Sequence, residues 1–253
     1  MMHGPTKIIS VIPARYLSRR FPGKPLRLLK GKPVIQHVYE TVRSTQLFDD
    51  VIVATDDTRI YKVVESFGKV RMTKKNHRCG TDRVAEIASE IDCDIVVNVQ
   101  ADEPFISKHS LQELILAFTD QGVKVASLMQ KVSTKEQRSN SVFVVCALNK
   151  NAMYFSREPI PSFQNSDEIV QAVRFQHRGI YAFRKDALLQ FAKLPAGRLE
   201  VSECLEQLRL LENGIPIRMV ETPHLGFGID TLSDLKEAQK IMNVFSADDL
   251  SIP

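Results

Sequence analysis

The sequence predicts an α/β fold, a mixed and mostly parallel sheet with helices on both faces. Three observations carry that prediction. From Ile8 to Phe118, short β-branched runs alternate with stretches whose apolar residues recur at i, i+3, i+4 and i+7. The first run, Ile8–Ile12, passes through Pro13 straight into a loop bearing Arg15, Arg19, Arg20 and Lys24. Near residue 125 the rhythm changes to strands without a regular helix between each pair, so 125–183 reads as the far side of the sheet plus a β-rich extension.

Taken in order, the opening strand belongs in a sheet interior, because its β-branched residues favour strand and Pro13 closes it. Gly31-Lys32-Pro33 starts a helix striped by Val34, Ile35, Val38 and Val42. Strand 51–54 ends in Thr55-Asp56-Asp57, and the next helix shows Ile60, Val63, Val64 and Phe67. Strand 69–72, helix 81–91 with Val84, Ile87, Ala88 and Ile91, and strand 95–99 follow. Helix 110–118 opens on Ser110-Leu111-Gln112-Glu113, a capping-box pattern. Strands are expected over 125–132, 142–148 and 179–183, with a mobile polar loop over 162–168. Helices 185–193 and 202–213 come next, the latter striped by Val201, Leu205, Leu208 and Leu211. Strand 217–221 leads to Gly226-Phe227-Gly228-Ile229-Asp230, and a last helix opens with Thr231-Leu232-Ser233-Asp234. Without repeats, low-complexity tracts or a linker-like shift in composition, residues 1–253 read as one domain that includes the extension.

A hydrophobic content of 43% and a charged content of 25% are those of an ordinary globular protein. The net charge of +4 suits an anionic small substrate. Nucleic acid would call for basic residues spread along a face with stacking aromatics, whereas here the cations gather in one loop and Trp is absent. Met1–Lys7 lacks the apolar run of a secretory signal and no segment approaches a membrane span, so no membrane partner is expected. Cys79, Cys93, Cys146 and Cys204 form no CxxC pair and read as reduced thiols of a cytoplasmic protein.

Ligands of open α/β sheets bind beyond the carboxyl ends of strands. Four cations held there on a loop stiffened by Pro13, Pro22, Gly23 and Pro25 form either a solvated basic loop or a polyanion site gripping phosphate oxygens. Asp102 and Glu103, in Asn98-Val99-Gln100-Ala101-Asp102-Glu103-Pro104, fall at the carboxyl end of the fourth strand, which a parallel sheet brings to the same edge. They are either turn residues or ligands of Mg²⁺, an ion that takes few protein oxygens and completes its shell with water and phosphate. Asp230 reads as a helix N-cap in competition with Thr231, or as the second carboxylate of that site. The turn Asn76–Arg83 is an ordinary cap by Thr81, or backbone N–H groups set to meet a base or an anion.

Eight segments in register resemble the CMP-Kdo synthetase (3-deoxy-manno-octulosonate cytidylyltransferase) family. They are Ile12–Arg15, Arg20–Pro25, Gly80–Arg83, Val97–Pro104, Tyr154–Arg157, His177–Tyr181, Leu205–Arg209 and Gly228–Asp230. The similarity runs from about residue 8 to 242. It implies a Rossmann-like nucleotidyltransferase fold, a homodimer assembled through the β-rich extension, and synthesis of CMP-Kdo and pyrophosphate from CTP and the eight-carbon acid Kdo for lipopolysaccharide. It also implies that Lys24, Arg15 and Asp102 are catalytic and that Asp102 and Asp230 hold Mg²⁺. Pro13, Ala14, Arg15, Lys24, Gly80, Thr81, Arg83 and Gln100 would bind the nucleotide. Arg157, His177, Tyr181, Glu206 and Gln207 would face the sugar. Three positions depart from the family pattern: Ala101 replaces a usual Gly, Cys79 a common Ser, and Arg178 an apolar residue. Alternatives are a cytidylyltransferase for 8-amino-Kdo or a sialic-acid-type sugar, and a nucleotide-binding module without catalysis.

Overall fold

β1 (Ile8–Ala14) is buried from Ile9 onward, as expected of a strand with neighbours on both sides. The computed structural model describes residues 6–17, 21–132, 141–162, 173–223 and 226–244. Arg19 and Arg20 of the basic loop, and residues 163–168 of the expected mobile loop, lie outside them. The chain divides into two compact units, one up to Gln112 and from Gly226 onward, the other Glu113–Leu225.

In the first unit β1 runs on to Ala14, past the strand end expected at Pro13. The proline is tolerated because pairing on one side of β1 stops at Val11, opposite Asn98, so the absent N–H interrupts no ladder there. A hairpin not expected from the sequence follows, β2 (Leu28–Leu29) and β3 (Lys32–Pro33), turned by Lys30 and Gly31 at positive φ. α1 (Val34–Ser44) buries its predicted stripe, and β4 (Asp50–Thr55) pairs in parallel with β1. α2 (Thr58–Glu65) is capped by Asp57, whose carboxylate accepts from the Arg59 N–H at 2.9 Å. β5 (Lys69–Met72) pairs in parallel with β4, α3 (Gly80–Ser89) follows, and β6 (Ile95–Asn98) pairs in parallel with the opposite edge of β1. The chain thus steps outward from β1 through β4 to β5 and then crosses back, which makes the β1–β6 boundary the topological switch point. α4 (Lys108–Leu116) starts one turn before the expected capping box. Its cap is Ser107, whose hydroxyl accepts from the Ser110 N–H at 3.1 Å.

The second unit holds β7 (Val125–Val132), β8 (Phe143–Cys146), β9 (Ala152–Ser156) and β10 (Arg174–Arg184). β10 lies antiparallel between β7 and β8, and β9 pairs with β8. α5 (Lys185–Lys193) has the predicted bounds. The helix expected over 202–213 is two, α6 (Arg198–Glu203) and α7 (Leu208–Glu212). Cys204 breaks it with φ 53° and ψ 46°, and Val201, read as part of the apolar stripe, is exposed. β11 (Arg218–Glu221) is parallel to β7. α8 (Leu232–Val244) returns to the first unit, where Leu235 and Ala238 join Phe21, Leu29, Val34, Phe227 and Ile229 in one apolar cluster. That cluster ties the basic loop to the Gly226–Asp230 segment.

Candidate active site

The loop after β1 is fixed by its own backbone. Gly23 sits at φ 70°, donates its N–H to the Tyr16 carbonyl at 2.8 Å and faces the Tyr16 ring so closely that a Cβ would lie 3.1 Å from it. Only glycine meets both demands without strain. Lys24–Leu26 then form a single 3₁₀ turn with Pro25 in it. Lys24 therefore leaves a rigid backbone, and its side chain is only 11% exposed.

Its ammonium lies between two carboxylates. It donates to Asp102 and, at 3.0 Å, to Asp230 Oδ1. Burial alone would lower the Lys24 pKa, but the charges of Asp102 and Asp230 outweigh it and hold the group above the ordinary lysine value, fully protonated. Residues 206 positions apart meet because Gly226–Asp230 lies directly on the turn after β6. The Ile229 N–H donates to the Asp102 carbonyl at 2.8 Å, and a Cβ on Gly228 would stand 3.2 Å from the Glu103 carboxylate. The Phe105 and Phe227 rings pack beneath at 5.2 Å. Asp230 is not the cap of α8. Thr231 is, accepting from the Asp234 N–H at 3.2 Å while the Asp234 carboxylate accepts from the Thr231 N–H at 2.8 Å. The reciprocal cap leaves the Asp230 carboxylate directed at Lys24. At Gly226 an added Cβ would come 2.9 Å from the Phe105 carbonyl oxygen, so backbone must shift. Gly226→Ala is thus expected to lose about 1–3 kcal/mol in urea unfolding, together with activity. Wild-type stability in that variant would show the close approach to be dispensable.

Arg15 joins this centre to the turn before α3, donating from one Nη to the carbonyls of His77 at 2.5 Å and Cys79 at 3.0 Å. Its Nε is buried without a hydrogen-bond partner. The His77 ring is anchored in turn by Glu86. The cap of α3 is Cys79, not Thr81: its Sγ accepts from the Asp82 N–H at 3.4 Å, the place a serine hydroxyl would take. Thr81 instead accepts from Asn98 Nδ2 at 2.9 Å, and Asn98 Oδ1 accepts from Gln100 Nε2 at 3.0 Å. This buried chain sets the Gln100 amide beside Gly80, where a Cβ would lie 3.4 Å from both Gln100 and Pro13 Cγ. Pro13, Gly80 and Gln100 are thereby brought together, and Ala14, on β1, is buried. Ala101 is buried as well, so its methyl is accommodated beside Asp102. Arg83 stands close enough to Arg15 to feel its charge, and its Nε, like that of Arg15, is buried without a hydrogen-bond partner. It is wholly buried, ion-paired to Asp56 at 3.1 Å and donating to Thr73, so its guanidinium ties the ends of β4 and β5 together. Asn98 has no role legible in the sequence beyond its place as a polar residue closing an apolar strand.

In the second unit, Arg157 is exposed and grips the end of α6, donating to the Glu203 carbonyl at 2.8 Å and the Cys204 carbonyl at 3.2 Å. The carbonyls ending a helix carry partial negative charge, which a guanidinium complements. His177 and Tyr181 are buried, the His177 ring packing on Phe155 at 5.0 Å and on Tyr181 at 5.3 Å, with Ser127 Oγ 3.0 Å from its Nε2. A bulge in β10 between Arg178 and Tyr181 offsets their register. Gln207 is buried with its Nε2 unpartnered, and Glu206 is half-buried. Burial, with Arg178 adding to it, pushes His177 down to about 3. The imidazole is therefore neutral from pH 8 to pH 5. Unfolding restores an ordinary value near 6.5, so this residue withdraws stability as pH falls below that value toward 3, by at most about 1.4 kcal/mol per pH unit. Histidine NMR titration checks this, and a His177 midpoint near 6.5 would contradict it.

Residues 9–220 match the family model described as cytidylyltransferase. A 3-deoxy-manno-octulosonate cytidylyltransferase of Flavobacterium johnsoniae is 48% identical over 242 residues, spanning 93% of this chain and 98% of that protein. One from Geobacter sulfurreducens is 45% identical, over 91% and 97%. Among solved structures, a CMP:2-keto-3-deoxy-manno-octonic acid synthetase complexed with CTP superposes with a TM-score of 0.88 at 41% identity, covering 94% of this chain and 99% of that one.

Proposed function

The chain belongs to the 3-deoxy-manno-octulosonate cytidylyltransferase family, and from that premise we propose that it activates Kdo with CTP at the Lys24–Asp102–Asp230 centre. The observation that carries the reading is one ammonium held by two carboxylates outside the carboxyl ends of β1 and β6. The anomeric hydroxyl of Kdo attacks the α-phosphorus of CTP, a new P–O bond forms as the bond to the β-phosphate oxygen breaks, and pyrophosphate leaves. The hydroxyl proton passes to solvent.

Such a transfer asks the protein chiefly for position and countercharge. Lys24 and Arg15 are the cations that would offset charge developing on the β- and γ-phosphates, and the orphaned Arg15 Nε supplies a donor that a phosphate oxygen would satisfy. The base would meet Gly80, Pro13 and Gln100, which lie together, with Thr81 fixing Gln100 through Asn98. Asp102 and Asp230 fit Mg²⁺ by their chemistry: hard oxygen ligands, partly exposed at 24% and 33%, close enough to share one cation. Among the described residues no three His, Cys, Asp or Glu side chains gather as a metal site, so the remaining ligands would be water and triphosphate. When bound, the ion supplies positive charge at the reacting phosphate and lowers the pKa of a coordinated hydroxyl. For the sugar, Gln207 offers a buried unpaired donor, His177 is a neutral imidazole, and Arg157 holds the segment that leads to Glu206 and Gln207.

A homodimer is in keeping with Leu148 and Met153, whose apolar side chains are exposed in the second unit. We place the reaction in the cytoplasm, where four free thiols are stable. No described helix is long and apolar enough to cross a membrane. The test is pyrophosphate release with four nucleoside triphosphates crossed with Kdo, 8-amino-Kdo and sialic acid. CTP with Kdo is expected to give the highest kcat/KM. Preference for either other sugar would reassign the substrate, and CTP binding without turnover would reduce the chain to a binding module.

A further inference from the structure

We infer that Lys24 is a stand-in cation, occupying the place of a divalent ion between Asp102 and Asp230 until a nucleoside triphosphate draws its ammonium away. The inference rests on the metal site proposed above and adds an order to its assembly. Both carboxylates bond to the same Nζ, so an ion bound to the pair and the ammonium in its present position exclude each other. The lysine has nowhere else to be drawn by its backbone, which Gly23 and Pro25 fix, so the exchange is confined to the side chain. Lysine suits this because its ammonium is a compact point charge whose donors turn toward carboxylate or phosphate alike on a flexible stem. Such an exchange makes metal and triphosphate bind cooperatively: phosphate oxygens recruit the ammonium, and the vacated carboxylates receive the ion. It also offsets one of the two negative charges that Asp102 and Asp230 bring together when no nucleotide is bound.

The test is Mn²⁺ binding to the nucleotide-free chain, followed by the loss of the free-ion EPR signal. Lys24→Met is expected to bind Mn²⁺ at least tenfold more tightly than the wild type, and Lys24→Met/Asp102→Asn to return to weak binding. Mn²⁺ is also expected to raise the melting temperature of Lys24→Met but not that of the wild type. Lys24→Gln, which keeps a hydrogen-bond donor and loses the charge, serves as a second variant and should follow Lys24→Met. Equal Mn²⁺ affinity in the wild type and both variants, whether tight or weak, overturns the inference. If tight binding in Lys24→Met survives the loss of Asp102, the ion sits elsewhere and the proposed metal site fails with it. A tight, Asp102-dependent site already present in the wild type leaves the metal site standing and removes only the stand-in role.

Discussion

Asp102→Asn is expected to lower pyrophosphate release from CTP and Kdo by at least about 10²–10³-fold, with the circular dichroism spectrum unchanged. The substitution keeps size and shape but removes the charge that faces Lys24 and that a divalent ion would take up. The turn itself depends on backbone groups, the Glu103 N–H on the Gln100 carbonyl at 3.2 Å and the Ile229 N–H on the Asp102 carbonyl at 2.8 Å, which asparagine preserves. Loss should therefore fall on kcat more than on fold. Asp230→Asn should act in the same direction, and because both carboxylates serve one cation, the double variant should cost less than the product of the singles. Wild-type turnover in Asp102→Asn would disprove the charge assignment.

The largest effect on stability is expected in the second unit, at the last residue of the Leu205–Arg209 motif, to which the sequence alone assigns no role. Arg209 is wholly buried, bidentate to Glu200 at 2.8 Å and 2.5 Å, and its guanidinium lies 4.2 Å from the Phe191 ring centre. This pair joins α6 to α7 across the Cys204–Gln207 segment. Arg209→Ala removes the countercharge of the Glu200 carboxylate, which is 13% exposed and keeps the Gly197 N–H at 3.3 Å, and should cost about 3–5 kcal/mol in chemical unfolding. Replacing both partners with apolar residues, Glu200→Leu with Arg209→Met, should recover much of that loss, because no charge is then left unpaired. A double variant as unstable as Arg209→Ala would place the cost in packing on Phe191 or in the lost cap of the Gly197 N–H by Glu200. Because the segment between the helices carries Glu206 and Gln207, the single variant should also raise KM for the sugar.

Local chemistry explains what the sequence made legible. The alternation of β-branched runs with striped helices located every strand of the first unit's parallel sheet, and the concentration of cations after β1 located one wall of the site. That Lys24, Asp102 and Asp230 meet follows from the parallel order together with two glycines, Gly226 and Gly228, whose spacing admits a backbone against a backbone. Other features depend on partners distant in sequence. Arg83 sits in a helix opening that reads as a ligand-facing turn, yet Asp56 and Thr73 draw its guanidinium inside. Thr81 looks like a cap, but the Asn98 amide takes its hydroxyl and Cys79 caps in its place. Helix 202–213 has a continuous stripe and still breaks at Cys204, where Arg157 takes the carbonyls of residues 203 and 204. The β2–β3 hairpin is only two residues deep on each side, too short for periodicity to register, although Gly31 at positive φ marks its turn.

The most direct measurement is anomalous scattering from crystals grown with CTP and Mn²⁺. A manganese peak within coordination distance of both Asp102 and Asp230, touching the triphosphate and with the Lys24 ammonium moved onto phosphate, is the predicted result. Manganese held by neither carboxylate, or nucleotide bound away from the β1–β6 boundary, would contradict it.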